Sequence, residues 1–236
     1  AWATLSDCPQ TLLEVCCRER TGDKDWAALR ALGVGFWMPS GDALRKALET
    51  AAKVQFTKRK DPVDCALLYI GLGKKKQLQA LAKAVLEQKL ETFLANDFTE
   101  DRWHSAALKN AYSLMSKQQY PLAIAFFLLG TDLDSAISVC IRNLRDVQLA
   151  LVLARLHATS HPSALKDTVR DQVLPEAIAS GDAWLCCVCQ LLLGDAAAGV
   201  AALATTSMGS QPTPFAACGL KQGSFEPCTA AFCAHV

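Results

Sequence analysis

The fold is decided by three runs between residues 58 and 157: KRKDPVDCALLYIGLGKKK at 58–76, NDFTEDRWHSAALKNAYSLMSKQQYPLAIAFFLLG at 96–130 and DSAISVCIRNLRDVQLALVLARLH at 134–157. Each run contains short amphipathic segments, with apolar residues at the three- and four-residue spacing of one helix face. Signals that end one helix and begin the next recur between the segments. The pattern predicts many short helices packed against one another.

Helix boundaries in this part of the chain are marked by aspartate and glycine. Aspartate before a helix accepts hydrogen bonds from free N–H groups of the first turn, and we predict such caps at Asp61, Asp132 and Asp146. The order of apolar residue, glycine and aspartate recurs at residues 179–182 and 193–195. Each helix pair exposes an apolar side that only a neighbouring pair covers. We therefore predict an all-α fold, an α-solenoid of stacked antiparallel helix pairs of the TPR or protocoatomer kind, with a poorly ordered C-terminal tail.

The stretch between the first two runs predicts one further helix and the start of another. Residues 77–95 have apolar positions at helical spacing, and we expect one continuous helix with Leu78 and Leu86 on its buried face. Asp97, followed three residues later by Glu100, predicts a capping box that opens the next helix.

Composition divides the chain into three parts. Residues 1–40 mix short helical patterns with the run GVGFWMP, in which Phe36 and Trp37 carry large apolar surface that needs a groove to fill. We interpret this part as a docking segment that leads into a helical solenoid at residues 41–206. Residues 207–236 combine glycine and proline without apolar periodicity, which predicts an irregular, disordered tail.

Charge and cysteine content limit the classes of function. The 236 residues carry a formal net charge of +1, so nothing in the overall charge favours nucleic acid as a partner. The eleven cysteines are odd in number and irregular in spacing, which favours a reduced, cytoplasmic compartment over a disulfide framework. We expect neither a signal peptide nor a transmembrane segment, because we find no long apolar run.

The most basic neighbourhood lies between residues 53 and 83, where eight lysine and arginine residues stand against two aspartates. Six of the cations are candidates for contact with an acidic protein surface or anionic lipid: Lys58, Arg59, Lys60, Lys74, Lys75 and Lys76. The alternative, which we favour, is a solvated surface with cations near helix C-termini.

We predict no catalytic, cofactor-binding or metal-binding residues. The sequence has no nucleotide-binding glycine loop, G-x-S-x-G elbow or H-E-x-x-H helix. His104 lies beside acidic residues, but adjacent residues do not share a helix face. Cys186, Cys187 and Cys189 lack a second pair of ligands for zinc, so we interpret them as buried thiols. The chain is therefore predicted not to be an enzyme.

The three runs quoted above resemble the helical region of the DmX-like, or rabconnectin-3, proteins and of their fungal counterpart, the large subunit of the RAVE complex. The opening is similar as well: AWATLSDCPQTLLEVCCRER at 1–20 and LRALGVGFW at 29–37 are like the segment that precedes this region in the family. The resemblance is collinear over residues 1–157 and weaker over 158–205. We match nothing after Ser207.

The resemblance implies a scaffold without catalytic residues that promotes assembly of the vacuolar-type proton ATPase, and hence acidification of vacuoles, endosomes and secretory vesicles. Family members are large cytoplasmic proteins with WD-repeat propellers that help the peripheral sector of the pump rejoin its membrane sector. The implied partners are peripheral-sector subunits and other subunits of a RAVE-like complex, with peripheral contact to anionic membrane as a further option. The helix-pair pattern alone supports a second hypothesis, a generic α-solenoid coat or tethering scaffold in vesicle traffic.

Overall fold

The computed structural model describes residues 3, 6–19 and 24–204, and within these ranges all regular secondary structure is helical. The predicted all-α class is confirmed. The α-helices are α1 Pro9–Glu19, α2 Trp26–Ala31, α3 Val34–Trp37, α4 Asp42–Arg59, α5 Pro62–Gly71, α6 Lys75–Ala84, α7 Gln88–Leu94, α8 Asp101–Ser116, α9 Tyr120–Leu129, α10 Leu133–Arg142, α11 Val147–Leu156, α12 Ala164–Thr168, α13 Leu174–Ser180, α14 Ala183–Leu193 and α15 Ala196–Ala204. A π-helical turn, Val169–Val173, connects α12 to α13. The predicted tail at 207–236 lies outside the described residues.

The chain forms two compact units. Among the described residues, the first unit contains α1 to α11 and the second contains α12 to α15. In the first unit consecutive helices contact one another from α4 to α7 and again from α8 to α11, while α5 also packs on α9. These contacts are the kind expected of stacked helix pairs, in which each helix meets its neighbours in the chain and one helix of the next pair.

Helix α9 lies at the core of the first unit. Its sequence is apolar on all sides, and every residue from Ala123 to Leu129 is buried. Such a helix must be covered all round, and α5, α8 and α10 pack against it. Phe127 is 1% exposed, so its burial contributes about 2 to 3 kcal/mol relative to an exposed side chain.

The predicted aspartate caps are confirmed, and the aspartates of the recurring pattern are caps too. Each carboxylate accepts a hydrogen bond from a backbone N–H two or three residues later, which pairs a donor that the first helical turn leaves free. The distances are 2.8 Å from Asp61 to Val63, 3.0 Å from Asp132 to Ser135, 3.0 Å from Asp146 to Leu149, 2.9 Å from Asp182 to Leu185 and 2.8 Å from Asp195 to Ala198. Local sequence signals therefore set the starts of five helices.

The segment predicted as one helix over residues 77–95 is two helices, α6 and α7, so that prediction was wrong. The break lies at Leu86, which has the left-handed φ of 61° and a side chain 81% exposed instead of buried. One straight helix would place Leu78 and Leu94 about 160° apart around its axis, because each residue turns it by about 100°. Both leucines are 1% exposed, and the break at Leu86 lets both reach the core.

The capping box predicted at Asp97 and Glu100 does not form. Asp97 instead accepts hydrogen bonds from the N–H and the hydroxyl of Thr99, at 3.0 and 2.8 Å, in a turn before α8. Glu100 occupies the position before the first residue of α8 and makes no capping bond with its side chain. A local aspartate turn has taken the place of the cap, since Asp bonds readily to backbone two residues onward.

In the second unit, α12, the π-helical turn and α13 follow one another without interruption, although α13 contains Pro175. Proline has no N–H and clashes with the carbonyl four residues earlier in a regular helix. The π turn precedes it directly, and there the N–H of Leu174 bonds five residues back to Val169. This wider turn accommodates the proline.

The core of the second unit contains the predicted thiols. Cys186, Cys187 and Cys189 of α14 are 0%, 3% and 1% exposed, so the prediction of buried thiols is confirmed. Burial raises the pKa of Cys189 to about 12, which keeps this thiol protonated at neutral pH. Within residues 3, 6–19 and 24–204, we find no group of three His, Cys, Asp or Glu side chains placed to hold a metal ion.

Candidate interaction surfaces

In the first unit, helices α2 and α3 are fixed to the start of α11 by polar contacts. Trp26 Nε1–H donates to Asp146 Oδ2 at 2.8 Å, and Arg30 Nη1 lies 3.5 Å from the same oxygen. Asp146 is 5% exposed, so these donors matter: a buried carboxylate without partners costs several kcal/mol. The sequence predicted Asp146 only as a helix cap, and the structure gives it both roles.

Arg155 of α11 binds the backbone of α3. Its guanidinium donates to the carbonyl oxygens of Gly35 and, at 3.0 Å, of Phe36. Arg155 is 5% exposed, and burial lowers its pKa to about 10, so it remains charged at neutral pH. The N–H of Gly35 donates to Gln148 Oε1 at 3.2 Å.

Gly35 is needed for this approach of two helices. A Cβ at this position would lie 2.4 Å from Gln148 Cβ and 2.6 Å from its backbone oxygen, which no side chain can do without displacing α11. The residues Trp26, Arg30, Gly35, Asp146, Gln148 and Arg155 together define what we call the α3–α11 contact.

One signal in the sequence could have revealed this contact. Arg155 follows the run LALVLA in a helix whose other residues from Leu149 to Leu156 are apolar and buried. A charged residue in such a helix needs an internal partner. Trp37, expected to pack, is half-buried and donates through Nε1–H to the carbonyl oxygen of Leu32 at 2.9 Å.

Lys58, Arg59 and Lys60 stand at the C-terminal end of α4, where free carbonyl groups favour cations. Lys58 pairs with Asp25 at 2.5 Å, and Arg59 pairs with Asp64 at 3.1 Å. Lys60 lies over an aromatic ring of α4, 5.8 Å from its centroid. All three cations therefore have internal contacts, although the Arg59 side chain is 75% exposed and keeps surface for a partner.

Lys74 precedes α6, Lys75 and Lys76 are its first two residues, and the three lysines have different surroundings. Lys74 Nζ lies 2.6 Å from a carboxylate oxygen of Glu49. This hydrogen bond and one from a second lysine lower the pKa of the Glu49 carboxyl. Lys75 Nζ donates to the backbone oxygen of Asn96 at 2.6 Å. Lys76 is exposed and has no polar partner in the described part of the chain.

The six basic residues are divided between two places on the first unit. Glu49, which holds Lys74, lies nine residues before Lys58 on α4, or about 14 Å along the helix axis at 1.5 Å per residue. This separation exceeds the Debye length of about 8 Å at physiological salt, over which exposed charges are largely screened from one another. Their contact with a partner stays a prediction.

A cleft of about 460 Å³ opens in the first unit among α2, α4, α5, α9 and α11. Its lining is mostly apolar and comprises Trp26, Arg30, Gln55, Val63, Asp64, Leu67, Leu68, Gln119, Pro121, Leu122, Leu144, Asp146 and Leu149. Gln55 Oε1 is buried and accepts no hydrogen bond within the described residues. An unpaired buried acceptor costs about 1 to 3 kcal/mol, so a donor that reached it would bind favourably. We call this the Gln55 cleft.

A second, more open groove of about 420 Å³ lies along α7 and the start of α8. It is lined by Gln88, Lys89, Thr92, Phe93, Asn96 and Trp103, and we call it the aromatic groove. Phe93 stacks on Phe126 with ring centroids 4.9 Å apart and meets Trp103 nearly at right angles at 6.4 Å. The sequence predicted neither concave surface. The walls of the Gln55 cleft come from helices that are distant along the chain, and the aromatic groove depends on how α7 and the start of α8 are placed.

Comparison with known proteins identifies the family. The family model described as RAVE protein 1 C terminal matches residues 1–217. The chain belongs to this family. The resemblance seen in the sequence is thereby confirmed, and the RAVE protein 1 match extends through the part where that resemblance was weak.

Individual relatives agree with the RAVE protein 1 assignment. DmX-like protein 1 of Mus musculus is 40% identical over 176 residues, which cover 74% of this chain and 6% of that protein. The protein named regulator of V-ATPase in vacuolar membrane protein 1 is 35% identical over 190 residues in Saccharomyces cerevisiae and 30% identical over 191 residues in Schizosaccharomyces pombe. Each of these two matches covers 78% of this chain, and they span 14% and 15% of the fungal proteins.

The chain thus corresponds to a small part of its curated relatives' length. None of the descriptions quoted above names an enzymatic activity. The described helices include none with the length and apolar character needed to cross a bilayer.

Proposed function

We propose that this chain is a non-catalytic scaffold segment that promotes assembly of the vacuolar-type proton ATPase, and hence acidification of vacuoles, endosomes and secretory vesicles. It acts in the cytoplasm, peripherally at the membranes of these compartments. Its partners are subunits of the peripheral sector of the pump and the other subunits of a RAVE-like complex. The observation that carries the proposal is the family match over residues 1–217, together with fungal relatives named as regulators of V-ATPase.

The structure supports a binding role through its concave surfaces. The Gln55 cleft combines an apolar lining with a buried acceptor that is left without a donor inside the described residues. The aromatic groove adds the half-buried rings of Phe93 and Trp103. Concave apolar surfaces with a polar rim suit the large side chains that anchor protein–protein interfaces.

The proposal is tested by capture of the purified peripheral sector of the proton ATPase on the immobilised full chain. We expect capture by the wild-type chain and weaker capture by Lys76→Glu, because Lys76 is exposed and has no internal bond to lose. Lys109→Glu, the same charge change at an exposed position of α8, is the matched control and is expected to bind normally.

Each result has a defined meaning. Equal capture by Lys76→Glu and Lys109→Glu would show that the basic residues around Lys76 do not contact the sector. The proposed scaffold role would still stand. Failure of the wild-type chain to capture the sector would count against the proposed function. The second hypothesis, a generic coat or tethering scaffold, would then take precedence.

A further inference from the structure

The break between α6 and α7 serves the core, but the stability of the fold does not explain why a leucine occupies position 86. Among the described residues other than glycine, five have positive φ: Lys60, Leu86, Gln118, Thr131 and Arg145. Leu86 is the apolar member of this set, and its side chain is 81% exposed. The left-handed conformation is unfavourable for any residue with a Cβ, and here no burial of the side chain offsets that cost. An apolar partner from outside the chain would supply the missing contact.

Two lysines flank this leucine in the chain. Lys83 lies in the last turn of α6 and Lys89 in the first turn of α7, each three residues from Leu86. Both are exposed, and neither has an ion pair within the part of the chain that the structure describes. Glu87 and Glu91 lie in the same stretch, but the lining of the aromatic groove includes Lys89 and no acid. A partner that enters the groove beside Leu86 would therefore benefit from acidic side chains at its rim.

The aromatic groove begins two residues after Leu86 in the chain. Leu86 stands two residues before α7, whose residues Gln88 and Lys89 form the near end of the groove. The polar groups within it are already used: Thr92 Oγ1 donates to the Gln88 carbonyl at 2.7 Å, and Asn96 Nδ2 donates to the Thr92 carbonyl at 3.0 Å. What the groove offers to a partner is the apolar surface of its rings.

The shape of this surface favours a helix over a lipid bilayer. An amphipathic helix lays one apolar face into a groove and presents charged residues at the rim. A bilayer is flat on this scale and would meet Leu86 without filling the groove beside it.

We propose that Leu86 and the aromatic groove form the docking site for an acidic amphipathic helix of a partner protein. Its apolar face packs on Leu86 and Phe93, and its carboxylates pair with Lys83 and Lys89. The inference rests on the proposed function for the identity of the partner, which is a subunit of the peripheral sector of the proton ATPase.

The test is a titration of the full chain against the purified peripheral sector, with Leu86→Asn as the central variant. Asn tolerates the left-handed conformation, so this variant is expected to keep or raise its melting temperature while binding the sector about tenfold more weakly. Lys89→Glu should also bind more weakly, with a flatter dependence on salt concentration. Gln118→Asn, at the same backbone geometry in the turn before α9, is the control and should bind like the wild type.

The outcomes separate the docking site from the proposed function. If the sector binds wild type and Leu86→Asn equally, the site is overturned and the proposed function stands. If the sector does not bind the wild type, both are overturned. Binding to vesicles of phosphatidylserine and phosphatidylcholine that depends on Leu86, without binding to the sector, would identify a membrane surface and overturn the helix as occupant.

Discussion

The α3–α11 contact and the α6–α7 turn are each built around an unusual residue, and they have opposite consequences. At Gly35 the missing side chain lets two helices touch, and the backbone groups there bond to Gln148 and Arg155. At Leu86 a full side chain occupies a strained backbone conformation and projects into solvent. The glycine at the first position stabilises the fold, whereas the leucine side chain at the second costs stability relative to glycine. Strain of this kind that burial does not offset is expected at positions kept for binding.

The largest effect on stability is expected from Gly35→Ala. The new Cβ would overlap Gln148, so we expect the free energy of unfolding to fall by about 3 kcal/mol, measured by urea denaturation. Adding Gln148→Ala should not restore stability, because the backbone oxygen of residue 148 lies 2.6 Å from the new atom in either case. A loss below about 1 kcal/mol would mean that α3 can move away from α11 at little cost.

The polar half of the same contact is tested by Arg155→Met. This change removes the donors to Gly35 and Phe36 and leaves two carbonyl groups without partners, so we expect a loss of about 2 to 3 kcal/mol in the same assay. Arg142→Met, at an exposed position in the last turn of α10, should change stability by less than about 0.5 kcal/mol. Equal effects of the two substitutions would show that the buried arginine does not hold α3.

Leu86→Gly is expected to act in the opposite direction. Glycine adopts positive φ without a Cβ penalty, so the variant should gain about 1 kcal/mol in the free energy of unfolding. Gln118→Gly has the same backbone geometry and should gain a similar amount, which would locate the gain in the backbone. A loss on Leu86→Gly would show that the leucine stabilises the folded chain, and the contrast between the two regions would disappear.

The smallest effect is expected from removing the carboxylate that pairs with lysines at Glu49, compared with changing a lysine that has no ion pair. Lys74 and Lys53 lower the pKa of Glu49 from 4.5, so this carboxylate stabilises the fold above that pH and the contribution is lost as pH falls through the lowered value. Glu49→Gln should therefore cost about 0.5 kcal/mol at neutral pH and nothing in strong acid, by urea denaturation at both pH values. Lys83→Gln, with no ion pair among the described residues, should have no measurable effect at either pH.

Much of the fold was predictable because the signals are local. Asp61, Asp132 and Asp146 cap the helices that the sequence assigned to them, and Ala123 and Phe127 lie in the buried part of α9. The prediction of one helix over residues 77–95 failed because helical continuity and burial of both end leucines could not be satisfied together. Leu78 and Leu94 both fit a helical pattern, but a straight helix cannot bury both, and the chain breaks at Leu86 instead.

The candidate surfaces were less predictable than the fold. The sequence placed six basic residues near one another, and only the structure shows that Lys58 pairs with Asp25 and that Lys74 pairs with Glu49 of α4. The Gln55 cleft and the aromatic groove arise between helices whose relative placement is not written in any local pattern.

The sequence by itself determined the helical class, the starts of the five helices that aspartates cap, and the family, because caps, apolar periodicity and collinear similarity are properties of neighbouring residues. The tertiary structure decided which polar residues are buried, where α6 ends and which cations remain without partners. The physical reason is distance along the chain. Arg155 and Gly35 are separated by 120 positions. Only the packing of α3 on α11 brings the guanidinium of Arg155 to the carbonyl oxygen of Gly35.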